Sequence, residues 1–110
     1  MCVNTPTYPT SIHLPLHYLQ SLQDILAQVL KDTACVVYLF GSRVSGRHTL
    51  QSDVDIAIAA PGDVDNELSH LREALESSAI PLFVDVVDLR HTDAAFCERV
   101  KHEGVVIWTN

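Results

Sequence analysis

Positive charge is scarce in this chain: seven Lys and Arg stand against 14 Asp and Glu, for a formal net charge of −7. The basic residues are scattered, so nothing here is built to grip a nucleic-acid backbone, and no stable nucleic-acid binding is expected. Cysteine is scarce too. Cys2, Cys35 and Cys97 are odd in number and contain no Cys-x-x-Cys, which argues against a disulfide framework. Cys35 and Cys97 lie in apolar surroundings and read as buried free thiols, which favours a reducing cytoplasm. No apolar run approaches the roughly 18 residues of a membrane span. The opening MCVNTPTYPTSIHLP lacks both a basic segment and a long apolar one, so neither a signal peptide nor a membrane role is expected. There is no Gly-x-x-x-x-Gly-Lys-Ser/Thr, so a P-loop is excluded. Internal repeats, low-complexity stretches and dividing linkers are also absent.

What is present suits one small domain. The chain has 110 residues, and 47% of them are hydrophobic. Residues 1–14, rich in Thr and Pro, read as a flexible N-terminal arm, with the domain over 15–110. Pro15 opens a helix over about 15–31, where Leu19, Leu22, Leu26, Val29 and Leu30 recur at helical spacing. ACVVYLF at 34–40 reads as a buried strand, and DVDIAIA at 53–59 as an alternating one. Between them come a short helical turn and a polar loop. A second helix is expected over 63–77, a third strand over 80–87, a third helix over 93–103 capped by Thr92, and a last strand over 105–108. Gly104 reads as the stop of that third helix.

Chemistry concentrates in residues 40–55. A buried strand ends at Gly41, which allows a tight turn and close backbone approach. Ser42 is placed to cap the helical turn that follows, and backbone N–H groups there suit an anion. Asp53 and Asp55 are two apart on the returning strand, so both side chains emerge on one face. Carboxylates that close repel unless a cation sits between them or one takes a proton. Oxygen-only ligands select Mg²⁺ or Mn²⁺. A phosphate cradle beside such a pair is what nucleoside triphosphate chemistry needs.

GSRVSGRHTLQSDVDIAI strongly resembles the signature of the DNA-polymerase-β-like nucleotidyltransferase superfamily: Gly-Ser, a spacer of about ten, then Asp-x-Asp. The GSR-x-x-G form and the small size look like the minimal nucleotidyltransferases, often partnered with HEPN-domain proteins. The resemblance covers about residues 15–108 and implies an α/β fold, a small mixed β-sheet with helices mainly on one face, like the polymerase-β palm. It implies a third carboxylate on a neighbouring strand. Asp85 and Asp88 both qualify. The family's apolar strand with an embedded Asp, as in FVDVV, points to Asp85. Parity agrees, because Leu82, Val84 and Val86 form the apolar face and leave Asp85 on the other.

The resemblance further implies transfer of a nucleoside monophosphate, AMP from ATP, to a hydroxyl. Asp53, Asp55 and Asp85 would hold the metal and carry catalysis, Asp85 also helping to deprotonate the acceptor. Gly41 and Ser42 would hold phosphates, with Arg43 and Arg47 adding charge-assisted contacts. The acceptor it suggests is a HEPN-type toxin, which makes the chain an antitoxin. A sheet face carrying Asp55, Ala57, Phe83 and Asp85 without a long cover invites that partner, or a homodimer.

Plainer roles stand beside these. Arg43 and Arg47 also fit a solvated helix face, and His48 chance exposure. Asp88 fits a turn, and Asp63 and Asp65 fit a helix N-terminus. His13 and His17 have Pro15 between them and no third ligand, which argues against zinc. Two other functions keep the motif: a partner-masking module with the fold but no catalysis, and a small-molecule nucleotidyltransferase of the antibiotic-modifying kind. The missing second domain counts against the latter.

Overall fold

The computed structural model describes residues 12–46 and 52–110. Arg47, His48 and residues 1–11 lie outside them. Four strands form one mixed sheet: β1 (Val36–Phe40), β2 (Val54–Ala59), β3 (Val84–Asp88) and β4 (Val105–Thr109). The order across it is β3-β2-β1-β4. β1 runs antiparallel to both β2 and β4, whereas β2 and β3 are parallel. A parallel pair needs a crossover, and helix α3 (Asp65–Glu76) supplies it. The other helices are α1 (Leu16–Val29), the single turn α2 (Ser42–Ser45) and α4 (Ala94–Glu103), with a 3₁₀ turn over Leu89–His91. The seven principal elements follow the order read from periodicity.

Alternation along the strands divides the interior in two. Val37, Leu39, Val54, Ile56, Ile58, Val84, Val86 and Ile107 point to one face. There they meet Leu22, Leu26 and Leu30 from α1 and its end, and Leu68, Leu71 and Leu75 from α3. Both helices repeat their leucines at three- and four-residue steps, so each turns one apolar stripe to the sheet. The opposite face carries a smaller cluster of Ala57, Leu89 and Val100, flanked by Phe40, Phe96 and Cys97. The two long helices thus share one face, and α4 covers part of the other. That cover is more than the sequence suggests, but it stops short of β3. Phe83, just before that strand, is 61% exposed.

Several boundaries differ from the sequence reading. Residues 12–14, assigned there to the arm, are docked: Ile12 and Leu14 pack against the main core. β3 begins at Val84 rather than at residue 80. Pro81 has no N–H to give to a ladder, so the chain joins the sheet only after it. Asp93, not Thr92, caps α4, its carboxylate accepting from Phe96 N–H at 2.8 Å. The Thr92 hydroxyl instead donates to Leu89 C=O. Gly104 does end α4, but in extended rather than left-handed backbone. A Cβ there would lie 2.5 Å from Val100 O, so its smallness is needed for close approach.

Cys35 is a buried free thiol and Cys97 a half-buried one. Among the described residues no helix is long and apolar enough to cross a membrane.

Leu26 is fully buried, whereas Leu16 on the same helix is 65% exposed. Leu26→Ala should lower the unfolding free energy by about 2–5 kcal/mol. Leu16→Ala should change it by less than about 0.5 kcal/mol. Urea titration of the two variants checks the pair.

Candidate nucleotidyl-transfer site

The site begins where β1 runs out. Gly41 takes φ 80 and ψ −151, a conformation that side chains disfavour. Its missing side chain matters a second time. A Cβ on Gly41 would meet Asp55 Oδ2 at 2.5 Å. Glycine therefore both makes the turn and leaves room for the Asp55 carboxylate against the backbone. α2 follows as a single turn, Val44 and Ser45 N–H donating to Gly41 C=O. Gly41 itself occupies the N-cap, so Ser42 is the first helical residue rather than the cap. Gly46, left-handed at φ 83, ends the turn.

Asp55 is paired with Phe40 across the antiparallel ladder and with Asp85 across the parallel one. Directly opposed residues on neighbouring strands lie about 4.8 Å apart and present their side chains to the same face. Asp55 and Asp85 are therefore brought together by register. Asp53, one step before β2, adds a third carboxylate. Asp53 and Asp85 are exposed and Asp55 is half-buried. Burial pushes the Asp55 carboxyl above its ordinary range, and the charges of Asp85 and then Asp53 push it further.

Asp88 occupies a different place. It shares parity with Val84 and Val86, is buried, and accepts Arg90 N–H at 2.9 Å to start the 3₁₀ turn. Of the two candidates for the third carboxylate, only Asp85 shares a face with Asp55.

Arg43 is not on the surface of the site. It is 3% exposed. Nη1 donates to His13 C=O at 3.1 Å and Nη2 to Ser52 C=O at 3.0 Å. His13 N–H returns a bond to Arg43 C=O at 2.6 Å. The guanidinium ties the segment before α1 and the residue before Asp53 to the Gly41 turn. Five fixed donors suit it to that bracing.

Sequence reasoning missed the contribution of α4. A cleft of about 530 Å³ opens between α2 and α4, lined by Phe40, Gly41, Val44, Ser45, Arg99, Val100 and Glu103. Arg99 puts a cation on the wall facing the Gly41 turn, also lying 5.7 Å from the Phe96 ring centroid. Its position follows from the way α4 docks, and only the Arg99/Glu103 four-residue spacing hinted at a shared helix face. A second cleft, of about 580 Å³, runs along the β3 edge and includes Phe83 and Asp85.

The donor chemistry fits a hard divalent cation. Register brings Asp55 and Asp85 together, Asp53 lies near enough for its charge to act on Asp55, and the repulsion of the two neighbours is what a cation would relieve.

Comparison with known proteins agrees with the geometry. The family model described as polymerase beta, nucleotidyltransferase, matches residues 20–110. A protein adenylyltransferase, MntA, of Shewanella oneidensis is 36% identical over 73 residues, which are 66% of this chain and 52% of that protein. The chain thus matches about half the length of that relative. A crystal structure of a toxin–antitoxin with AMP-PNP superposes at TM-score 0.63 and 33% identity, covering 80% of this chain and 73% of the other. The complex of a tri-AMPylated Shewanella oneidensis HEPN toxin with its MNT antitoxin superposes at 0.59 and 31% identity, covering 84% and 73%. With a matched segment running from α1 through the last strand, the chain belongs to the polymerase-β nucleotidyltransferase family.

Proposed function

We propose that this protein is a protein adenylyltransferase that moves AMP from ATP to a hydroxyl of a HEPN-type toxin, and so acts as its antitoxin in the cytoplasm. The observation that carries the reading is the Asp55–Asp85 register beside the Gly41 turn. The adenylyltransferase relative and the AMPylated-toxin complex supply the donor and the acceptor class.

Asp53, Asp55 and Asp85 would hold Mg²⁺ or Mn²⁺, which would supply charge neutralisation for the triphosphate. The residues of the chain do the rest. The Gly41–Ser42 backbone lies against the phosphates, and a side chain at Gly41 would instead collide with the Asp55 carboxylate. Arg99 offers the phosphates a cation across the α2/α4 cleft. Arg43 works from inside, fixing the turn against the approach to Asp53. Asp85, exposed at the edge strand, is open to an incoming acceptor and takes the proton of its hydroxyl. Phe83 gives a protein acceptor an apolar landing beside it.

Incubation with labelled ATP, Mg²⁺ and the HEPN partner should move label to that partner. A tight complex without label transfer would establish the masking role instead. Asp53→Asn, Asp55→Asn and Asp85→Asn should each cost roughly a thousandfold in rate, equivalent to about 4 kcal/mol, with Asp88→Asn mild. The reverse order for Asp85 and Asp88 would show the wrong third carboxylate.

Asp55→Asn has a second, opposite signature. A carboxyl whose pKa is raised by folding loses native stability as pH climbs from its unfolded value through its folded one. Ionised Asp55 therefore weakens the metal-free chain at neutral pH. The inactive Asp55→Asn variant should melt higher than the parent at pH 7 without metal, and the gap should close toward the ordinary carboxyl value of 3.8.

Arg99→Ala should raise the KM for ATP several-fold while leaving Tm close to the parent's. Arg43→Ala should lower Tm and kcat together, because it removes the bonds to the carbonyls of His13 and Ser52 that brace the turn. Steady-state kinetics with thermal melts separate the two arginines.

A further inference from the structure

A second group of ligating side chains lies away from the carboxylates described above. Asp65 stands in the first turn of α3, Asp88 is the last residue of β3, and His91 ends the 3₁₀ turn. One ligand atom from each lies within 4.8 Å of the other two. Asp88 is only 8% exposed. Its Oδ1 accepts Arg90 N–H, but its buried Oδ2 has no hydrogen-bond partner among the described residues. That oxygen faces His91 Nε2 at 3.5 Å, and Asp65 Oδ1 lies 3.6 Å from the same nitrogen.

These separations are informative. A hydrogen bond from nitrogen to oxygen spans about 2.7–3.2 Å, so neither contact is one. Ligands about 2.0–2.1 Å from a tetrahedral zinc ion stand about 3.3–3.4 Å from each other. The two nitrogen–oxygen spacings are close to that tetrahedral edge, and the carboxylate oxygens of Asp65 and Asp88 lie within 4.8 Å of each other. A buried carboxylate oxygen left without a donor costs free energy, and a cation would repay it.

We propose that Asp65, Asp88 and His91 form a binding site for Zn²⁺ or a similar transition-metal cation, separate from the nucleotide site. The imidazole nitrogen selects against Mg²⁺ and Ca²⁺, which take oxygen ligands. Two carboxylates and a neutral imidazole balance the ion's charge and leave a fourth position for water. Asp88 is held in place by Arg90 N–H, so the buried ligand is oriented before the ion arrives. Asp65 and His91 are exposed, with side chains 68% and 65% accessible, which gives the ion a route in. Asp88 is three residues along β3 from Asp85 and on the other face of the sheet, about 10 Å away along the strand. The ion would clip the start of α3 to the end of β3, the two ends of the crossover chain that carries Asp85 to its register with Asp55.

The test is calorimetric titration of Zn²⁺ into the untagged full chain with excess Mg²⁺ present, followed by visible absorption with Co²⁺ as the probe. One equivalent should bind with a Kd of about 1 μM or below, and Co²⁺ should show tetrahedral bands. His91→Gln and Asp65→Asn, both at exposed positions, should each weaken binding at least about tenfold. Asp55→Asn should leave it unchanged. No binding below about 100 μM would overturn the proposal. Binding that is lost in Asp55→Asn and kept in His91→Gln would overturn it as well, by placing the ion among the nucleotide-site carboxylates. Neither outcome bears on label transfer from ATP, so this site and the adenylyltransferase reading stand or fall separately.

Discussion

A half-buried carboxylate, Asp55, desolvated by burial and set beside two other carboxylates, is the constraint around which this small fold is organised. Asp55 is the half-buried member, pressed against the Gly41 turn on one side and set opposite Asp85 on the other. Nothing in the core requires it. An apolar residue would suit a position beside Ala57 better, and the raised pKa of Asp55 marks the penalty. The surrounding structure is rigid where it holds this arrangement. β1 and β2 are the central strands, paired on both edges, and the fully buried Leu39 and Ile56 lock their register from behind. A slip of one residue would turn both Val54 and Ile56 to the wrong face and Asp55 into the core. Hydrophobic burial on one face thus holds the charges in place on the other.

That coupling explains why so much of the site was legible in the sequence. Asp53 and Asp55 share a face because a strand repeats every two residues, and Val54 and Ile56 declare which face is inner. The same rule, applied to Leu82, Val84 and Val86, separated Asp85 from Asp88. Gly41 was legible as a turn but not as the space for a carboxylate, because that depends on the β1–β2 register. Arg43 was read as a surface or phosphate-binding residue. Its burial depends on the carbonyls of His13 and Ser52, which lie 30 and nine residues away and give no local signal. The docking of α4 on the second face was equally hidden. Periodicity shows that a helix has an apolar stripe, not which side of a sheet receives it.

α4 also changes how open the site is. A sheet with helices on one face only would expose the whole carboxylate surface. Here Phe96 and Val100 cover Ala57 and Phe40, and the cover ends before β3. The result is an asymmetric site. On the α4 side, the Gly41 turn, Ser45 and Arg99 form a bounded cleft suited to a nucleotide. On the β3 side, Asp85 and Phe83 are open. Both line the second cleft of about 580 Å³, whose walls also include Arg72, Leu75 and Pro81.

β3 carries both halves of the molecule's acidic chemistry. Asp85 shares a face with Asp55 and lines the β3-edge cleft, and Asp88, three residues on, faces the helical layer. An odd step along a strand reverses the face, so the two carboxylates cannot serve one site. Yet they are not independent in position, since both move with β3. β3 is an edge strand, held on one side only by β2 and on the other by Arg72, whose guanidinium donates to Val86 C=O at 2.9 Å. Edge strands are the least constrained members of a sheet. Whatever fastens the far end of β3 therefore also sets how firmly Asp85 is held opposite Asp55. The Asp65–Asp88–His91 cluster lies at that far end, where α3 begins and β3 finishes. A cation bound there would fasten the strand that carries Asp85, with no contact to Asp85 or Asp55.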